Sequence, residues 1–158
     1  MRVKLSVILP ALNEASGIGA SLAALQPMRA AGHELIVIDG GSTDATAMLA
    51  SVDADRVLNS ARGRARQMNV GAAEATGDAL LFLHADTRLP DNAAALIDTA
   101  LQQRCWGRFD VRIEGRPAML GLIARMMNLR SRLSGIATGD QAMFISRATF
   151  EKVGGFPE

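Results

Sequence analysis

The stretch Ala79-Leu80-Leu81-Phe82-Leu83-His84-Ala85-Asp86-Thr87 decides the fold. Its apolar run is too short for a helix and is bounded by Gly77 and by polar residues, which marks a buried central strand. That strand delivers His84 and Asp86 at its carboxyl end. Upstream, Glu34-Leu35-Ile36-Val37-Ile38 has the same character and ends in Asp39-Gly40-Gly41-Ser42-Thr43-Asp44. Near-continuous apolarity of this kind suits a parallel sheet covered on both faces. Residues 4–9 read as a third strand, with Pro10 expected to end its ladder, and residues 56–58 as a short fourth.

Helices are predicted between these strands. The first spans 17–31, with Ile18, Leu22 and Leu25 as its apolar stripe, Pro27 weakening its second half and Gly32 as its stop. Another runs through Leu49 behind a Ser42 or Thr43 cap. A third covers 60–76 and is closed by Gly77, and a fourth runs from an Asp91 or Asn92 cap to Gln103. Three successive strand-to-helix units predict an open α/β sheet. Beyond it come a strand over 106–114, an amphipathic helix over 117–133, a strand over 141–145 and a helix over 147–153. No repeat or linker interrupts residues 1–158, which read as one domain.

Composition excludes several classes. The 158 residues are 49% hydrophobic and 21% charged, with a net charge of +1. Such a chain is too apolar for disorder, and its charge gives no reason to expect nucleic acid. The longest apolar run, 118–124, falls far short of the roughly 20 residues that span a bilayer. Met1-Arg2-Val3-Lys4-Leu5 does not read as a cleavable signal. Cys105 is the single cysteine, so neither an intrachain disulfide nor a thiolate zinc cluster is available. A reducing, cytoplasmic location is the expectation. The turn-like ending Gly154-Gly155-Phe156-Pro157-Glu158 predicts a fragment that continues further.

Ligands of open α/β sheets bind outside the carboxyl ends of the strands. Three polar groups fall there: Asn13 with Glu14, Asp39 with its Gly-Gly-Ser turn, and His84 with Asp86. Each alone is an ordinary turn. Their recurrence at one topological place points to a ligand, because clustered carboxylates are unfavourable without a cation or hydrogen-bonding partner. No glycine-rich dinucleotide fingerprint follows the first strand, and no P-loop lysine is present; Gly17-Ile18-Gly19 falls inside a helix. Mg²⁺ or Mn²⁺ bound by carboxylate oxygen would serve a phosphate instead. Asp86 is the expected ligand, while His84 is a second ligand, a hydrogen-bond donor or a structural histidine.

In Arg62-Gly63-Arg64-Ala65-Arg66-Gln67-Met68-Asn69, the spacing puts Arg62 and Arg66 on one helical face. Cations are disfavoured at a helix N-terminus, so these arginines suit a bound phosphate or a neighbouring carboxylate, or else form a solvated face. Asn69 and Gly71 interrupt an Ala-rich helix and imply close contact with another element. The helix over 117–133 reads as core packing with a basic outer face; the functional alternatives are a lipid-linked acceptor, a membrane surface or a second subunit.

Together these segments resemble the inverting nucleotide-sugar glycosyltransferases of family 2, which have the GT-A fold. The resemblance rests on Val7-Ile8-Leu9-Pro10-Ala11-Leu12-Asn13-Glu14, Val37-Ile38-Asp39-Gly40-Gly41-Ser42-Thr43-Asp44, Asn69-Val70-Gly71, Leu81-Phe82-Leu83-His84-Ala85-Asp86-Thr87 and Phe150-Glu151-Lys152-Val153-Gly154-Gly155-Phe156, in the family's order. The run 63–69, with Gly139-Asp140-Gln141, resembles a compact bacterial subgroup whose substrates are poorly defined. The resemblance implies a Rossmann-like open mixed sheet flanked by helices, mainly parallel in its N-terminal half. It also implies transfer of a glycosyl group from a nucleoside-diphosphate sugar to an acceptor hydroxyl, saccharide or lipid-linked, with anomeric inversion. The nucleotide would be held by Pro10, Asn13, Glu14, Asp39, Gly41, Arg62, Arg66 and Ala85. Asp86 matches the last aspartate of the family's Asp-x-Asp metal motif, with His84 in place of the first, and Mn²⁺ or Mg²⁺ is the implied cofactor. The family's catalytic base follows Gly-Gly-Phe, where no residue of this sequence matches it. Asp140 is therefore left as an acceptor-pocket or diphosphate-side residue, or a cap. Contact with the inner membrane face is the further expectation. The rival readings are a non-catalytic nucleotide-sugar-binding or scaffold domain and, less well matched, a nucleotidyltransferase.

Overall fold

The computed structural model describes residues 3–110, 119–134 and 141–157. Strands β1 (Leu5–Ala11), β2 (Glu34–Asp39), β3 (Arg56–Asn59), β4 (Ala79–Phe82), β5 (Trp106–Arg108) and β6 (Met143–Ser146) form one sheet. Helices α1 (Ile18–Ala30), α2 (Thr46–Asp53), α3 (Arg64–Glu74), α4 (Ala93–Leu101), α5 (Met119–Ser134) and α6 (Arg147–Val153) surround it. The sheet order is β3-β2-β1-β4-β6-β5. The first four strands are mutually parallel, whereas β6 runs antiparallel to both β4 and β5. This is the expected mixed sheet, parallel in its N-terminal half.

Strand pleating explains why β1 is apolar throughout: successive side chains enter different layers. Leu5, Val7 and Leu9 join Ile18, Leu22, Ala50 and Ile97 on the face covered by α1, α2 and α4. Ile8, Ile36, Ile38, Leu80 and Phe82 join Ala72, Ala75 and Phe150 on the face covered by α3 and α6. Gly71 lets α3 approach closely, since a Cβ there would lie 2.5 Å from Ile8 Cγ2.

Several sequence expectations are corrected. Pro10 does not end β1, which pairs Pro10 with Ile38 and Ala11 with Asp39. The amide of Leu83 donates to the Ile8 carbonyl on the β4 side, so Pro10, two residues on, also turns its missing N–H toward that side, where the β4 ladder has already ended at Phe82. Helix α1 keeps close to its expected span, with Pro27 in its last turn and Ile18, Leu22 and Leu25 buried as the stripe predicts. Helix α3 starts at Arg64; Gly63, at φ +140°, breaks the chain from helix before it. Helix α2 is served by Asp44, whose Oδ1 accepts the Thr46 N–H at 3.0 Å, and not by Ser42 or Thr43. Asn92 stands at the N-cap of α4 without a side-chain cap bond, and α4 ends at Leu101. Strand β5 ends at Arg108; of the longer strand expected there, residues 111–114 lie outside the described residues, as do Pro117, Gly139 and Asp140.

Helix α5 is not the expected core helix. Met119, Leu122, Ile123, Met126, Leu129 and Leu133 are exposed, with Leu133 at 81%. Small Ala124 and Ser131 face inward instead. Asp110 joins this helix to β5 by accepting hydrogen bonds from Arg108, at 2.8 Å, and from Arg132.

Candidate functional site

The parallel register brings the ends of β1 and β2 level, and both project beyond β4. The two polar groups at those ends are knitted into one unit. Asn13, in the left-handed region at φ +56°, donates its N–H to Ser42 Oγ at 2.9 Å. Its Oδ1 accepts the Thr43 N–H at 2.8 Å. One residue on, the Glu14 N–H reaches Thr46 Oγ1 at 2.8 Å, and the Ala15 N–H reaches Asp44 Oδ2 at 3.2 Å. Hydrogen bonds from the Thr46 hydroxyl and the Thr46 and Ala15 amides outweigh desolvation and hold the Asp44 carboxyl below its ordinary range.

Asp39 organises the second half of this unit. It is buried, with one carboxylate oxygen accepting the N–H groups of Gly41 (3.1 Å) and Ser42 (3.0 Å) and the other accepting the Ser42 hydroxyl. Gly41 is exposed and adopts φ +86°, a conformation that glycine takes without steric penalty. The Asp39 carboxylate therefore shapes the turn at the mouth of the crevice. Its carbonyl accepts the Ser60 N–H at 2.9 Å, which ties in the loop that carries Arg62.

Arg62 lies in that loop and Arg66 in the first turn of α3, so the two do not share a helical face. Both are exposed. Pro10 is buried within β1, and Glu14 is half-buried. Ala85 is buried after β4, with its carbonyl bonded by Ser21 Oγ from α1. His84 is buried, whereas Asp86 is exposed and, among the described residues, accepts a hydrogen bond from the Thr87 hydroxyl at 3.3 Å. Among the described residues no group of three or more His, Cys, Asp or Glu converges as a metal cage. A lone accessible carboxylate still fits Mg²⁺ or Mn²⁺ chemistry, because such ions take one or two carboxylates and complete their shells with water and substrate phosphate. Asp86 has the free oxygen for this; the His84 ring, out of solvent, is the weaker candidate.

Two features went unread in the sequence. Gln67 is 4% exposed, and its Nε2 donates to the carbonyls of Ala11 (2.9 Å) and Ile38 (2.8 Å). A signal existed: Gln67 lies one turn before Gly71, on the helical face that meets the sheet. The Gly-Gly-Phe segment shows only a motif and a turn in the sequence. Its Phe156 ring packs edge-on against Phe82 at 4.9 Å and Phe150 at 5.4 Å, beneath the end of β4.

Residues 6–148 match the family model described as glycosyl transferase family 2. An uncharacterized glycosyltransferase of Mycobacterium tuberculosis is 31% identical over 163 residues, covering 96% of this chain and 62% of that protein. A PGL/p-HBAD biosynthesis glycosyltransferase of Mycobacterium bovis is 37% identical over 91 residues, covering 53% of this chain and 36% of that protein. A mannosyltransferase from Pyrobaculum calidifontis, solved with GDP-Man and Mn²⁺, gives a TM-score of 0.74 at 24% identity over 99% of this chain and 48% of its own. Glucosyl-3-phosphoglycerate synthase from Mycobacterium tuberculosis, solved with Mn²⁺, UDP and glucosyl-3-phosphoglycerate, gives 0.67 at 23% identity over 92% and 57%. These structural likenesses establish a shared fold, the expected GT-A arrangement. The chain spans 36% to 62% of the length of these two curated relatives. With the family model covering residues 6–148, the chain belongs to glycosyl transferase family 2.

Proposed function

We propose that this domain binds a nucleoside-diphosphate sugar and serves transfer of its glycosyl group to an acceptor hydroxyl, with inversion and divalent-metal dependence. The observation that carries the reading is the clamp between Asn13 and the Asp39 turn, set beside the exposed Asp86 at the carboxyl edge of the sheet. In this reading the nucleoside lies against Pro10, Asn13, Glu14, Asp39 and Gly41. Three donors from its own turn already occupy the buried Asp39 carboxylate, so its part is to shape the base pocket and offer its remaining lone pair. Arg62 and Arg66 face the base or the diphosphate, and Ala85 lines the pocket from the segment after β4.

Asp86 would hold Mn²⁺ or Mg²⁺, with His84 as the second candidate ligand. When bound there, the ion would supply charge neutralisation for the departing diphosphate. The Mn²⁺ in both structural neighbours supports manganese. Inversion requires a base opposite the leaving group to take the acceptor proton; Asp140, outside the described residues, is kept as an acceptor-side or diphosphate-side residue. The acceptor is read as a saccharide or lipid-linked hydroxyl. Helix α5 supports contact with an anionic lipid surface at the cytoplasmic face of the membrane. It exposes six large apolar side chains and carries Arg125, Arg130 and Arg132 with no acidic residue.

Calorimetry with UDP and GDP, with and without Mn²⁺, tests the reading. Metal-dependent binding of at least one diphosphate is expected, with loss of the metal dependence in Asp86→Asn and no change in thermal stability. Failure of the unsubstituted protein to bind either diphosphate overturns it.

A further inference from the structure

The Gln67 side chain fills the gap between two strand ends. Its planar NH₂ group has two hydrogens at fixed separation, and each goes to a carbonyl of a different strand, Ala11 of β1 and Ile38 of β2. Ala11 O also accepts the Gly40 N–H at 2.9 Å, so Gln67 adds a bond to the ladder and replaces none. Gly40 is shaped to this contact: a Cβ there would approach the Gln67 carboxamide to 3.0–3.1 Å. The residues immediately following the two bonded carbonyls, Leu12-Asn13 and Asp39-Gly40-Gly41, are those against which the nucleoside is proposed to lie. A neutral donor of two protons is required; a glutamate at this position would set carboxylate oxygens against carbonyl oxygens.

We propose that Gln67 is a positioning residue that fixes the separation of the Asn13 loop and the Asp39 turn and so sets affinity for the nucleoside diphosphate of the donor. The inference rests on the nucleotide-binding reading above. It differs from a purely structural role, in which the Gln67 bonds would contribute to global stability alone. Because α3 also carries Arg66, the same side chain couples the arginine segment to the crevice.

Gln67→Leu keeps the bulk and removes both bonds. Gly40→Ala keeps Gln67 but pushes on its carboxamide, and provides a second route if the first variant folds poorly. Two measurements on each variant decide the matter, well below the unfolding midpoint. Calorimetry with UDP, GDP and Mn²⁺ should show on the order of tenfold weaker binding, as expected for losing hydrogen bonds that order the site. Amide hydrogen exchange without nucleotide should accelerate at residues 12–14 and 40–43 while β4 and α4 remain as protected as before. Unchanged exchange in those two segments overturns the proposal, even if the melting temperature falls. Unchanged diphosphate affinity alongside faster exchange overturns its link to binding. If the unsubstituted protein binds no nucleoside diphosphate, the functional reading fails separately, and the exchange comparison still decides whether Gln67 positions the two loops.

Discussion

The side-chain amide of Asn69 pairs with the backbone of Phe156 in both directions. Its Nδ2 donates to the Phe156 carbonyl at 3.0 Å, and its Oδ1 accepts the Phe156 N–H at 2.9 Å. This pairing fastens the Gly-Gly-Phe segment to α3 across 87 residues of sequence. Gly155 makes it possible: at φ +82° it tolerates the turn, and a Cβ there would lie 2.8 Å from Asn69 Oδ1.

Asn69→Ala should therefore destabilise the fold by about 1–3 kcal/mol, as expected when paired, partly buried backbone groups lose their partners. Asn69→Asp keeps the acceptor but loses the donor. Urea unfolding of both variants checks this, and a midpoint unchanged in Asn69→Ala would show that the Phe82–Phe150–Phe156 ring cluster holds the segment without the amide.

Gly71→Ala tests the closeness of α3 to the sheet. Alanine is the better helix former, so propensity alone predicts stabilisation. The added methyl would meet Ile8 Cγ2 at 2.5 Å and Ile38 at 3.2 Å, and overpacking of this kind costs about 1–3 kcal/mol. Packing is expected to win, giving a lower melting temperature; a higher one would mean that α3 relaxes away from β1 freely.

At the opposite edge of the sheet, Glu34 Oε2 accepts the Ser6 hydroxyl at 2.6 Å and the Thr76 N–H and hydroxyl at 3.0 and 3.1 Å. Partial burial pushes its pKa up, but the Ser6 and Thr76 hydrogen bonds, aided by Lys4, outweigh it and hold the carboxyl below its ordinary range. A group with a depressed folded pKa contributes stability above its unfolded pKa and loses it as pH falls through the folded value. Acidification from about pH 7 to about pH 3 should thus erode the stability of the unsubstituted protein more than that of Glu34→Gln. Equal pH slopes in denaturant titrations of the two proteins would reject this assignment.

The exposed face of α5 predicts co-sedimentation with vesicles containing phosphatidylglycerol, and weaker co-sedimentation with neutral phosphatidylcholine vesicles. Leu129→Asp should reduce binding without a loss of stability, because Leu129 is 58% exposed. Retention of the unsubstituted protein in the supernatant with both lipids would remove the membrane from the proposed function.

Much of the architecture was legible because strands β2 and β4 are short apolar runs that end in polar turns, a pattern set by local sequence. The positions of Asp39 at the end of β2 and of Asp86 in the segment after β4 are legible for the same reason. Reading α5 failed because amphipathic periodicity shows that a helix has two faces but not which one meets the protein. The α2 cap was not legible because Ser42 and Thr43 bond to Asn13, 29 and 30 residues away in the chain, leaving Asp44 for Thr46.

By itself, the sequence determined the alternation of strands and helices, the carboxyl-edge position of the acidic groups and the family, since those follow from local periodicity and ordered motifs. Tertiary structure alone decided that Asn13 closes on the Asp39 turn, that Gln67 bridges β1 to β2 and that Asn69 grips Phe156. Each is a directional hydrogen bond between residues far apart in sequence. Such bonds exist only once the parallel register has brought the strand ends level and Gly71 has let α3 settle against them.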